Sequence, residues 1–452
     1  MKNLKTNIFF KISIIIVLIL LLMIPTSMVK DLIHEREDVQ LNAISEVSSK
    51  WGNGQTLTGP YIDIPFDRYI KRFNKKDSIN EIVKIKEHLY VLPEQLNITG
   101  QIAPEKRYRG IYEVVVYESD FNISGSFNPI DYKQFDIKKE NIHFNKATLN
   151  LGISDLKGIE QQINLNWSNA QIPFDSGTST NEITSTGIRA RLGEHLKDST
   201  AFNFNLDLNL KGSQNINFIP VGKTTDVNLT SNWNTPSFTG TYLPDSRKVD
   251  ENGFTAHWNI LHLNRNYPQT WINSRHRVYE SSFGTDLLLP VDNYKKSYRV
   301  ARYASLFLVL TFMVFFFVEV LNKVFIHPIQ YLLVGIALVV FYTLLLSFSE
   351  HIPFNWAYAV SAILTLGLIS AYTTAILKSK PLGLMIFGIL SIMYSFIFTI
   401  IQMEDYALLI GSIGVFTILC LVMYYSRKID WYALKMGDNK QTTQQTETSE
   451  NS

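Results

Sequence analysis

Four residues stand where polar chemistry would be most conspicuous in this chain. Glu350 and His351 end one long apolar run, and Glu404 and Asp405 begin another. Carboxylates beside an imidazole can hold a proton or a cation, or serve acid–base catalysis. The plainer account is that all four are polar caps keeping helix ends in water. Glu319 is the one acid inside an apolar run, four residues before Lys323, which is the spacing of an i,i+4 helical ion pair. A proton relay is the alternative for that residue. The centres of the runs otherwise lack Asp, Glu, Lys and Arg, which argues against an ion-coupled pump. Gly222-Lys223-Thr224 has the ending of a phosphate loop, but Asn217 occupies the position where that loop needs glycine, so it reads as a turn. His257 and His262 are five apart, on opposite faces of a strand, where a shared metal does not fit. Neither His-Glu-x-x-His nor Gly-x-Ser-x-Gly occurs.

The elements that must position these residues are of two kinds. A spanning helix needs about 20 mostly apolar residues, because hydrocarbon cannot satisfy exposed backbone groups. Five C-terminal runs meet that length: Tyr303–Leu321, Pro328–Phe348, Phe354–Leu377, Leu382–Ile401 and Tyr406–Tyr425. Gly411 and Gly414, like Gly383 and Gly388, are expected to permit close helix contact. A sixth run, Ile8–Val29, is interrupted by Lys11 and has no small-x-small cleavage site, so it is expected to stay as an anchor. Basic residues in short flanks set orientation. Lys2, Lys5 and Lys11 put the N-terminus in the cytoplasm. Six crossings then bring Lys323, Lys378, Lys380, Arg427 and Lys428 to the same side, while the short opposite loops carry no lysine or arginine.

Residues 30–301 lie on the outer side in this reading. Val39–Lys50 continues the anchor at helical spacing, and beyond it the period is two. Phe202, Phe204, Leu206, Leu208 and Leu210 alternate with Asn203, Asn205, Asp207 and Asn209, the pattern of a strand with one buried and one wet face. Ile111–Tyr117, Thr148–Ile153, Ile163–Trp167, Asp226–Thr230 and Thr255–Leu263 are further strands. Gly, Pro, Asn and Asp punctuate them, which favours an antiparallel sandwich or barrel-like domain. Trp51 followed by Thr58-Gly59-Pro60-Tyr61 echoes Trp233 followed by Thr239-Gly240-Thr241-Tyr242, a faint sign of duplication. The single cysteine, Cys420, excludes an intramolecular disulfide, and the net charge of +2 gives no reason to expect nucleic acid. From Gly437 the tail is too polar to fold.

Longer stretches carry a resemblance. Ile326-His327-Pro328-Ile329-Gln330-Tyr331-Leu332-Leu333-Val334-Gly335, running on to Leu346-Ser347-Phe348-Ser349-Glu350-His351, resembles the CreD family of inner-membrane, cell-envelope-integrity proteins. Glu404-Asp405-Tyr406-Ala407-Leu408-Leu409 and Asp430-Trp431-Tyr432 are similar to it too. So are Leu92-Pro93-Glu94, Arg109-Gly110-Ile111-Tyr112, Ser154-Asp155-Leu156-Lys157-Gly158-Ile159, and Phe283-Gly284 with Pro290-Val291-Asp292-x-Tyr294. The resemblance implies a Gram-negative inner-membrane protein with its β domain in the periplasm, linked to envelope stress and, in some members, to two-component regulation and β-lactam response. It implies no catalytic residues.

The expected architecture is an α+β membrane protein of four parts. Residues 1–29 are the N-terminus and anchor, 30–301 the periplasmic β-rich domain, 302–426 the five-helix bundle, and 427–452 a cytoplasmic tail. The expected function is non-enzymatic support of envelope integrity, with the β domain as sensing or binding surface. Two rivals remain: a transporter or flippase-like bundle for a lipid or envelope precursor, and an intramembrane enzyme at the outer face. Expected partners are the lipid bilayer and envelope proteins or lipid and cell-wall precursors. No cofactor or metal site is read.

Overall fold

The computed structural model describes residues 8–74, 79–197, 200–287, 293–322, 324–403 and 406–427. The chain divides into two compact units, residues 40–290 and residues 1–39 with 291–452. Helix α1 (Ile8–Trp51) contributes to both. Among the described residues, six helices are long and apolar enough to cross a membrane.

In the helical unit, α1 is joined by α2 (Asn293–Arg302), α3 (Ala304–Leu321), α4 (Pro328–Ser349), α5 (Phe354–Leu377), α6 (Lys380–Gln402) and α7 (Ala407–Ser426). Proline sets two of the starts: Pro328 and Pro381 lie in first turns, where their missing N–H costs nothing. An aromatic cluster holds α3 to α6 together. Phe307 lies 4.6 Å from Tyr394 and Phe341 lies 4.8 Å from Tyr394, centroid to centroid, and Tyr358 donates its hydroxyl to the Tyr394 carbonyl at 2.8 Å. Gly335 lets α4 approach Leu22 of α1 and Phe312 of α3, and Gly383 accepts a 2.8 Å bond from Ser370. Gly414 faces Phe396, whereas Gly388 and Gly411 face open space, so only half of the four expected contact glycines are used. None of the described residues of α7 is buried.

The other unit contains a sixteen-stranded sheet. Its strands are β1 (Gln55–Asn74), β2 (Ile79–Val91), β3 (Gln95–Arg109), β4 (Tyr112–Phe127), β5 (Thr148–Ile153), β6 (Asn164–Trp167), β7 (Ala170–Ser176) and β8 (Gly187–Arg191). The second half runs β9 (Phe202–Ser213), β10 (Asn215–Ile219), β11 (Thr224–Ser231), β12 (Pro236–Gly240), β13 (Ser246–Asp250), β14 (Gly253–Leu261), β15 (Thr270–Ile272) and β16 (Phe283–Leu287). The hydrogen-bonded path is β12-β16-β10-β1-β5-β8-β7-β6-β9-β4-β3-β11-β14-β13, with β2 and β15 as a side branch. Its two end strands, β12 and β13, are consecutive in the chain. Phe238 of β12 meets Phe254 and Trp258 of β14 at 5.7 and 5.8 Å, so the sheet curls back on itself into a barrel-like shape. Pairing is antiparallel except between β1 and β10 and between β3 and β11.

The alternation in β9 explains its place. Its register with β4 sets Leu206 against Ile123 and Leu208 against Phe121, all buried, while Asn122 and Asp207 bond on the wet face at 2.7 Å. One continuous core runs from Leu57 to Leu287 and encloses Trp167, Trp258, Tyr61 and Phe218. Single buried aromatics of this size stabilise by about 3–5 kcal/mol against truncation.

Candidate functional site

Glu319 lies in the last turn of α3 and is only 6% exposed. Its carboxylate accepts the Tyr331 hydroxyl of α4 at 2.9 Å and the Ile326 backbone N–H at 3.2 Å, and pairs with the Lys11 ammonium of α1. That ammonium also sits 4.6 Å from the Phe325 ring centroid. Lys323, the i,i+4 partner expected from the sequence, falls outside the described residues. The residue that breaks the apolar run of α1 thus meets the one acid of the spans. Neither charge is left without an opposite, which is the condition for keeping either in hydrocarbon.

Of the four residues of the expected outward cluster, Glu404 and Asp405 lie outside the described residues. Glu350 caps α4 and accepts the Tyr294 hydroxyl of α2 at 3.1 Å, with Arg36 Nε of α1 at 3.8 Å. Beside it, Asn293 donates to the Ser349 carbonyl at 2.6 Å. Arg299 reaches the carbonyl of Ile401 at the end of α6, at 3.1 Å. Helix α2 therefore ties the ends of α4 and α6. Its polar composition masks it in the sequence; the signal that could have found it is the helical spacing of Tyr294, Ser297 and Ala301, which lie on its buried face. His351 is exposed, and its ring has no hydrogen-bond or ion-pair partner among the described residues.

The β unit holds its own buried acid. Asp63 is 1% exposed and takes His88 Nδ1 at 2.8 Å on one oxygen and the Ser179 hydroxyl on the other. The Ser179 backbone N–H donates to Asn150 Oδ1 at 3.0 Å, and the next residue, Thr180, bonds the Tyr90 hydroxyl at 2.8 Å. Serine, histidine and aspartate meet here, but Ser179 gives its proton to the carboxylate and not to the imidazole, so no base activates it. The arrangement anchors the segment between β7 and β8. His257 pairs with Asp226 at 2.7 Å, and Lys223 of the phosphate-loop-like turn bonds Glu94 at 2.8 Å. Among the described residues no three His, Cys, Asp or Glu side chains are grouped to hold a metal.

A family described as Inner membrane protein CreD matches residues 7–432. The Inner membrane protein CreD of Escherichia coli (strain K12) is 30% identical over 445 residues, covering 97% of this chain and 98% of that protein. The chain belongs to the CreD family. The CreD-like stretches quoted above now have physical roles. In the 326–335 stretch, the His327 ring accepts the Ile329 N–H at 3.3 Å, the Gln330 side chain accepts the His327 N–H at 2.9 Å, and Tyr331 holds Glu319. In the 154–159 stretch, Asp155 accepts the backbone N–H of Asn53 at 3.0 Å and of Lys157 at 3.1 Å. Burial works against the charge of Asp155, but these two N–H groups and the Asn53 side chain outweigh it and hold the carboxyl below its usual range. Arg109-Gly110 makes the β3–β4 turn, with Gly110 at φ +63°. In these three stretches the motif residues act as cap, tether and turn, whereas Phe283-Gly284 lies inside β16 with Phe283 buried.

Proposed function

We propose that this inner-membrane protein supports cell-envelope integrity, with residues 30–301 in the periplasm as a non-enzymatic sensing or binding surface and both termini in the cytoplasm. The observation that carries this reading is a β unit with one core of its own, joined to apolar helices at both its ends. Such a unit can present a binding surface without depending on chemistry in the spans. The side of the membrane rests on the basic flanks.

The test has two parts. A reporter active only in the periplasm should be active when inserted near Asp175 and silent when fused after Asp430; an active fusion after Asp430 contradicts the topology. Cells lacking the protein should leak a periplasmic marker under detergent stress, and the full chain should restore them while a chain without residues 40–290 should not. Restoration by the shortened chain would move the function into the helices. One observation favours a transport reading instead. Thr311, Tyr342 and Ser361, on α3, α4 and α5, are buried hydroxyls with no partner among the described residues. Uptake or flipping of a lipid precursor by the purified protein in vesicles would support that reading.

A further inference from the structure

Arg265, just after β14, is a buried guanidinium of an unusual kind. It is 8% exposed, yet no carboxylate reaches it among the described residues. Nη1 donates to the Tyr267 carbonyl at 2.6 Å, and Nη2 donates to the Val221 carbonyl at 3.2 Å and contacts the Gln269 side-chain oxygen. Nε is buried with no acceptor. Arginine stays charged at any accessible pH, so burial cannot be relieved by loss of a proton. Carbonyl dipoles offset part of the desolvation but supply no net negative charge.

Arg265 lines a pocket of about 410 Å³, within the range of small-molecule sites. Arg275, His276 and Arg277 line it as well, and Tyr242 and Tyr267 form aromatic walls. Glu280 is the acid in the lining; it bonds Arg277 at 3.0 Å, and Glu182 bonds Arg275 at 3.0 Å. Three arginines against Glu280 in the lining and Glu182 beside it leave the site net positive. Both outer arginines are well exposed, so their pairings cost little to exchange for a ligand. Burial lowers the pKa of His276, which favours its neutral form and leaves the arginines to carry the charge.

We propose that this pocket binds the oxyanion group, phosphate or carboxylate, of a small ligand, with Arg265 as the buried counter-charge and Arg275 and Arg277 closing over it. The buried guanidinium supplies a fixed positive field at the pocket wall. The two exposed guanidinium groups supply the planar, two-pronged contacts that oxyanions favour. The site gives the binding-surface reading a ligand class and rests on that reading only for its role in the cell.

The experiment uses the full chain in detergent micelles. Inorganic phosphate, citrate and water-soluble dihexanoyl phosphatidylglycerol are titrated separately, with dihexanoyl phosphatidylcholine as control and ionic strength held constant. At least one anionic probe should bind saturably and raise the unfolding temperature. Saturation by phosphate or citrate assigns a soluble anion, whereas saturation by the glycerol lipid alone assigns a headgroup. The double variant Arg275→Gln, Arg277→Gln changes only exposed side chains and should bind about tenfold or more weakly, the loss of charge-assisted contacts. Arg265→Lys keeps the charge but loses the fork, and should bind more weakly still if it folds. No saturable binding by any anionic probe, or equal binding by the double variant, overturns the inference. Either result leaves the complementation test of the β unit standing on its own.

Discussion

Glu319 and Arg265 are both buried charges, and the two regions treat them differently. In the helical unit, Glu319 meets an ammonium, a hydroxyl and a backbone N–H, so its charge is answered within the protein. In the β unit, among the described residues, Arg265 meets only neutral acceptors and keeps one N–H unanswered. Asp63, in the same β unit, follows the first pattern with His88 and Ser179. The difference separates architecture from recognition. A matched buried charge fixes which elements meet, whereas an unmatched one beside a cavity is completed from outside.

The comparison breaks first at Glu319, where the largest effect is expected. Glu319→Gln should destabilise the protein in detergent by about 3–5 kcal/mol, because it strands Lys11 in an apolar setting. Lys11→Met should cost a similar amount, and the double variant should recover most of it. Unfolding in detergent measures all three, and simple additivity of the two losses would mean that the pair is not coupled.

Asp63→Asn offers a smaller effect of the same kind. Losing charge-assisted bonds to His88 and Ser179 should cost about 1–3 kcal/mol, seen as earlier denaturant unfolding of the β unit. An unchanged midpoint would place Asp63 outside the set of charges that hold the segment between β7 and β8.

Asp155 sharpens the point through pH. Its carboxyl is held below the usual range in the folded protein, so the stability it contributes is complete above the unfolded value of about 3.9 and is lost as pH falls through the folded value. Asp155→Asn should therefore flatten the acid limb of the stability profile below about pH 4, with little change in slope near neutrality. A variant with an unaltered acid limb would contradict the role of the Asn53 and Lys157 N–H groups.

The smallest effect is expected at His351. It is exposed and has no described partner, so His351→Gln should shift stability by less than about 0.5 kcal/mol and leave envelope phenotypes intact. A lost phenotype with normal membrane levels would revive a site with Glu404 and Asp405.

Local pattern sufficed for much of this protein. Twenty-residue apolar runs admit one solution in a bilayer, and the strict alternation of Phe202–Leu210 admits one in a half-buried sheet, so the spans and β9 were legible. Thr148–Ile153 was read to the residue. The long β1–β2 hairpin was not, because its charged outer arm masks the period, and α2 was hidden by its polar composition. The CreD likeness was also legible, because its motifs are contiguous. What the sequence could not determine is which charges meet. Lys11 and Glu319 lie far apart in the chain, so spacing gives no reason to pair them, whereas Lys323 stands four residues from Glu319. Nor does a sequence reveal that Arg265 is buried among carbonyls at a pocket wall, with no carboxylate on it among the described residues. Both depend on distances set by chain closure and packing, and electrostatic energy follows distance in space, not separation along the chain.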